Sequence, residues 1–159
     1  MAGMAHPTVY GEDFRYDEDP PGFRAGCANL GEQAGGEATN VKLYLVPPGE
    51  SICPYHYEYE EEWLLVLAGS IDLRTPSGTE TLSAGALVCF PPGPNGAHRT
   101  SCSGTEPARV LMFSSAREPA VAVYPDSGKI GVWTGNDDDE FMVRGEDARR
   151  DYWDGEPIA

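Results

Sequence analysis

His56-Tyr57-Glu58-Tyr59-Glu60-Glu61-Glu62-Trp63-Leu64-Leu65-Val66-Leu67-Ala68-Gly69 sets two unlike chemistries end to end. In the first half a histidine and carboxylates recur at every second position: His56, Glu58, Glu60 and Glu62. Residues two apart in an extended chain share a face, so all of these side chains are predicted to face one way. The second half, Trp63 to Leu67, is an unbroken apolar run of strand length that stops at Gly69. Carboxylates that enter a barrel interior need compensation, because unpaired charge is costly there. A divalent cation supplies it, neutralising the acids and accepting imidazole nitrogens.

Further strand signals lie on both sides. Val41, Leu43 and Leu45 alternate with Lys42, Tyr44 and Val46, and Pro47-Pro48-Gly49 then breaks the chain. Ile71 to Arg74, Thr79 to Leu82, Ala86 to Phe90, Val110 to Phe113, Val121 to Tyr124 and Ile130 to Trp133 are short and repeatedly punctuated by Gly and Pro. Such spacing predicts an all-β sandwich or barrel. Residues 1–38 read as a polar N-terminal arm or loop with one short edge strand near Val9 and Tyr10. Residues 39–134 read as the barrel. Residues 135–159 read as an acidic C-terminal extension with a short helix around Glu146 to Tyr152.

The 159 residues suit one domain with a sizeable core. The formal net charge of −15 repels a phosphate backbone and an anionic membrane face, so neither nucleic acid nor membrane is an expected partner. No apolar run approaches the roughly 20 residues that span a bilayer, and the first residues lack the pattern of a signal peptide. A cytoplasmic protein is expected. Its four cysteines form no Cys-x-x-Cys pair and read as free thiols in a reducing compartment.

Two stretches together resemble the cupins, a family with two motifs on a double-stranded β-helix, or jelly-roll barrel. The first family motif is Gly, about five residues, His-x-His, three or four residues, Glu, six residues, Gly. The chain has Gly49, six residues, His56-Tyr57-Glu58, three residues, Glu62, six residues and Gly69. The second motif is Gly, five residues, Pro-x-Gly, two residues, His, three residues, Asn. The chain has Gly85, five residues, Pro91-Pro92-Gly93, four residues, His98, three residues and Cys102. The departures are Glu58 for the second histidine, two extra residues before His98, and Cys102 for the asparagine.

The resemblance implies one divalent metal held by His56, Glu58, Glu62 and His98. Carboxylates harden the ligand set and favour iron or manganese, with zinc or nickel also compatible. It also implies a homodimer and a small-molecule substrate. Glu60 and Tyr55 are the candidate proton-transfer residues. Arg74 and Arg99 are candidates for an anionic substrate, and Trp63 is expected in the core. The function so expected is a metal-dependent enzyme on a small polar metabolite, of isomerase, lyase or dioxygenase type. Two alternatives stand beside it: a binding or sensing barrel without turnover, and a module whose metal site is vestigial.

Overall fold

The computed structural model describes residues 6–157. Its strands, in chain order, are β1 (Gly26–Asn29), β2 (Thr39–Val46), β3 (Tyr57–Glu58), β4 (Glu62–Ala68), β5 (Ser70–Thr75), β6 (Gly78–Ser83), β7 (Leu87–Phe90), β8 (Arg99–Cys102), β9 (Ala108–Ser115), β10 (Ala120–Tyr124), β11 (Lys129–Trp133) and β12 (Phe141–Arg144). Two single-turn helices, α1 (Leu30–Gln33) and α2 (Gly145–Ala148), complete the regular structure with two 3₁₀ turns. The strand segments expected from Val41 to Trp133 all appear, lengthened or trimmed at their ends.

Three antiparallel sheets result, in the orders β1-β2-β9-β4-β7, β12-β11-β10-β3 and β6-β5-β8. This is the all-β double-stranded β-helix. The main core lies between the five-stranded and three-stranded sheets. It joins Val46, Leu64, Val66, Phe90 and Val110 on one side to Ile71, Leu73 and Cys102 on the other. Each fully buried aliphatic side chain contributes about 1.5–3 kcal/mol of transfer free energy.

The apolar run 63–67 does not bury evenly. Leu64 and Val66 are buried, whereas Trp63, Leu65 and Leu67 are half-buried on the opposite face. Trp63 is therefore not a core residue. Its ring stacks on that of Phe113, its partner on β9, and its Nε1–H donates to the Glu61 carboxylate at 2.7 Å. The bond satisfies the indole N–H of a ring that is itself half-buried.

The opposite face of the five-stranded sheet carries a second cluster, in which Val9, Phe14, Leu67 and Leu111 pack against Ala28, Leu30 and Leu43. Arg109 ties the N-terminal segment down. Its guanidinium donates to the carbonyls of Val9 and Gly11 and to the Glu12 carboxylate, at 3.0, 2.8 and 2.6 Å.

Some local expectations change. Val9 and Tyr10 form a turn rather than an edge strand, closed by the Gly11 N–H on the Thr8 carbonyl at 3.0 Å. Within 1–38, β1 and α1 are ordered by tertiary pairing, with Gly26 to Asn29 laddered on β2. In the tail, β12 extends the β11 edge, and the helix is only the one turn Gly145–Ala148. All four cysteines are free. Among the described residues, no helix is long and apolar enough to cross a membrane.

Candidate metal centre

His56 and His98 arrive from different loops and meet as an isolated antiparallel bridge. The His56 N–H donates to the His98 carbonyl at 3.1 Å, and the His98 N–H donates back at 2.8 Å. Opposed residues of such a pair project side chains to the same face. The ring centroids lie 4.7 Å apart. The residues inserted before His98 are taken up by a 3₁₀ turn, Pro94–Gly96, which ends just short of it. Gly96 packs so closely on Pro91 that a Cβ there would collide with the Pro91 carbonyl oxygen.

Each imidazole is oriented from behind. His56 Nδ1 lies 3.0 Å from the Pro54 carbonyl oxygen, and His98 Nδ1 lies 2.9 Å from that of Gly96. A carbonyl only accepts, so each Nδ1 carries the hydrogen and each Nε2 keeps a lone pair for the cavity. Phe90 stacks on His98 at 3.6 Å, and Tyr124 stacks on His56 at 5.8 Å.

Glu62 completes the group. Its Oε2 is 3.8 Å from both Nε2 atoms, and its side chain is 14% exposed. Those distances are too long for hydrogen bonds. The His98 Nε2 is buried with no hydrogen-bond partner, a state that ordinarily costs about 1–3 kcal/mol. Ligand distances of about 2.0–2.2 Å for nitrogen and carboxylate oxygen leave room for an ion between atoms so spaced. His56, Glu62 and His98 thus fit a divalent metal, a view their donor types share.

Burial and the neighbouring Glu58 push the Glu62 carboxyl up to about 8, opposed by Lys42. Burial and the neighbouring His56 push His98 down to about 4. Burial also lowers His56, against the hydrogen bond to Pro54. A buried, metal-free site therefore favours neutral groups, as low local polarity requires.

A cavity of about 380 Å³ lies between β2, β4 and β9 on one side and β3, β10 and β11 on the other; His56 and Glu62 line it, and His98 is not among its lining residues. Glu58 lines it from β3 but stands outside the three-residue cluster of close donor atoms. Burial raises its carboxyl above the ordinary value. Glu60 also lines the cavity and accepts the Ser115 hydroxyl at 2.6 Å. Tyr55 is buried beneath the Arg74 guanidinium, 3.9 Å from its ring centre, and is not among the cavity-lining residues.

Neither arginine singled out for an anionic substrate lines the cavity. Arg74 forks onto Asp126 at 2.6 and 2.9 Å, and Arg99 donates twice to the Ser51 hydroxyl. The basic residues that do line it, Lys42 and Arg117, were not singled out from the sequence, and neither was Tyr124. For Lys42 the signal was present in the alternation of β2, which puts it on one face with Asn40 and Tyr44.

Residues 42–114 match the cupin domain family. No curated protein matches the chain. Among solved structures, the chain is similar to a protein assigned by name as a sugar phosphate isomerase from Acidithiobacillus ferrooxidans, at 27% identity, TM-score 0.74, with 82% of each chain covered. It is also similar to a sugar phosphate isomerase of the cupin superfamily from Silicibacter pomeroyi, at 20% identity and TM-score 0.73, covering 92% of this chain and 93% of that one. A polyketide cyclase from Streptomyces resistomycificus shares the fold at 22% identity and TM-score 0.57, over 68% of this chain and 78% of that one. The matched segment runs from within β2 to within β9, so residues 42–114 carry a cupin domain, and the strands around them complete the cupin fold.

Proposed function

We propose that this chain is a metal-dependent enzyme that isomerises a small polar metabolite, with His56, Glu62 and His98 holding one divalent ion. One observation carries the reading: a buried His98 Nε2 that lacks any partner and faces a carboxylate and a second imidazole nitrogen. The similarity at 27% identity to a protein assigned by name as a sugar phosphate isomerase supports isomerase chemistry over the other types. Iron or manganese suits the set of nitrogen and oxygen donors.

When bound, such an ion polarises a substrate oxygen as a Lewis acid and orients the substrate. The remaining work falls to the chain. Pro54 and Gly96 hold the two imidazoles through their carbonyls, so the Nε2 lone pairs need no reorganisation. Glu60 is held by the Ser115 hydroxyl. Glu58 has no side-chain partner among the described residues and lines the same cavity, which leaves its carboxylate free to take a proton from one substrate carbon and return it to the next. An isomerisation of that kind moves protons within the substrate and consumes no co-reactant. Tyr124 and Trp133 cover the cavity from the second sheet and help to exclude water.

Elemental analysis of the tag-free protein tests the reading. The expected result is near one equivalent of iron or manganese per chain, lost sharply in His56→Ala and His98→Ala. A chain that takes up no metal even after reconstitution overturns it, and the binding-barrel and vestigial-site readings then take its place.

A further inference from the structure

Two cations of the cavity have no part in holding a metal. Lys42 and Arg117 both line it. Among the described residues neither makes a side-chain hydrogen bond or an ion pair, in contrast to Arg74 and Arg109, each matched to a carboxylate. Lys42 is half-buried, while Arg117 lies exposed just after β9. The strand registers place them. Asn40, Ser114 and Glu62 form one row across β2, β9 and β4, and Lys42 stands on the same face as Asn40, opposite Met112. His56 and Glu62 of the metal group line the cavity, and the unpaired cations border the same space.

Charge and size say what belongs there. Glu58, Glu60 and Glu62 line the same cavity of about 380 Å³ as Lys42 and Arg117, a volume for one small molecule. A divalent ion turns the balance of these groups positive by one charge. An ammonium and a guanidinium without protein partners then present donors of the kind that hold a compact oxyanion, the guanidinium by two parallel hydrogen bonds. Tyr124 and Trp133 add aromatic surface for the carbon skeleton.

We infer that Lys42 and Arg117 form an anion subsite that holds the phosphate or carboxylate group of the substrate, with its uncharged polar end at His56, Glu62 and His98. The inference rests on the reading of this cavity as a substrate site. It adds a substrate class, small anionic polyols and their carbonyl forms, and names the residues that select it.

Calorimetric titration of the purified, metal-loaded chain with glucose 6-phosphate, gluconate and glucose tests it. At least one of the two anions is expected to bind ten-fold or more tightly than glucose, and which one does so assigns phosphate or carboxylate. Arg117→Gln should erase that preference, Arg117→Lys should restore part of it, and Lys42→Met should weaken the anion with little change for glucose. Because Arg117 is exposed, its variants keep the fold even if Lys42→Met does not. Equal binding of all probes, no binding of either anion at millimolar concentration, or a preference unmoved by both variants overturns the subsite and leaves the cations as mere balance for nearby carboxylates. Metal content is measured on every sample. Bound metal without an anion preference rejects the subsite alone, whereas an Arg117-dependent preference in a chain that takes up no metal rejects the metal reading alone.

Discussion

His56 and His98 exchange both of their backbone hydrogen bonds, so the two imidazoles of the candidate metal centre are set by a main-chain pairing rather than by side-chain contacts. They come from separate motifs 42 residues apart in sequence. The bridge gives them a common face, the carbonyls of Pro54 and Gly96 choose their tautomers, and Glu62 meets both from β4.

Gly96 should be intolerant of a side chain. A Cβ there would collide with the Pro91 backbone, and its carbonyl orients His98. Gly96→Ala is expected to lower metal affinity by about 10–100-fold, the usual cost of disturbing a group that orients a ligand. It should also lower the melting temperature by several degrees, from about 1–3 kcal/mol of overpacking. Unchanged affinity in a stably folded variant would show that the Pro94–Gly96 turn does not position His98.

Glu62 and Glu58 should respond differently to loss of charge. Glu62→Gln is expected to abolish metal retention, because its oxygen faces both Nε2 atoms. Glu58→Gln should retain the metal and move the pH midpoint of metal uptake downward, since it removes the like charge that helps to raise Glu62. Metal titrations of both variants across pH make the comparison. Loss of metal in Glu58→Gln would place that carboxylate among the ligands.

Metal uptake should be proton-linked. With the Glu62 carboxyl at about 8 in the metal-free chain, an ion entering at neutral pH displaces its proton. Affinity is expected to rise about ten-fold per pH unit up to pH 8 and then level off, with about one proton released per ion at pH 7. Titrations in buffers of different ionisation enthalpy count that proton, and a pH-independent affinity between 6 and 8 would be inconsistent with it.

Stability of the chelated chain should depend on pH in a related way. Glu62 rises from 4.5 unfolded to about 8 folded, so the folded chain holds the extra proton in that window and loses stability as pH climbs through it. His98 falls from 6.5 to about 4, so the unfolded chain holds the extra proton and stability is lost as pH drops from 6.5 toward 4. Between 4.5 and 6.5 the two oppose each other. Of these two, Glu62 alone acts above 6.5, with a limiting slope of about 1.4 kcal/mol per pH unit. Thermal melts of the chelated protein should fall by several degrees from pH 6.5 to 8, and bound metal should remove most of that decline.

Arg109 should govern the N-terminal segment without touching the metal. Arg109→Met releases the Val9 and Gly11 carbonyls and the Glu12 carboxylate, and so loosens the cover that Val9 and Phe14 provide. Faster proteolysis before β1, a modest loss of stability of about 1–3 kcal/mol and unchanged metal content are expected. Limited proteolysis with mass spectrometry reads this out.

Local pattern was enough for much of this molecule. Period-two alternation in 41–46, apolar content in 63–67 and the Gly/Pro breaks around them mark strands, because side-chain alternation and turn chemistry are properties of the few residues involved. The spacing of His56, Glu62 and His98 relative to Gly49, Gly69 and Gly85 pointed to the barrel and to a metal. What the sequence alone could not place depended on partners distant along the chain. The strand β1 has weak propensity and exists through its ladder with β2. Trp63 sits on the outer face because β4 is covered unequally on its two sides. Arg74 and Arg99 are consumed by Asp126 and Ser51, whereas Lys42 and Arg117 are left facing the cavity. Residue types and their periodicity therefore marked the strands, and the resemblance of two motifs to the cupins pointed to the candidate donor residues. Which donors converge, which charges stay unpaired and how large a space they enclose were decided only by the tertiary structure, since each depends on how separate strands are brought into register.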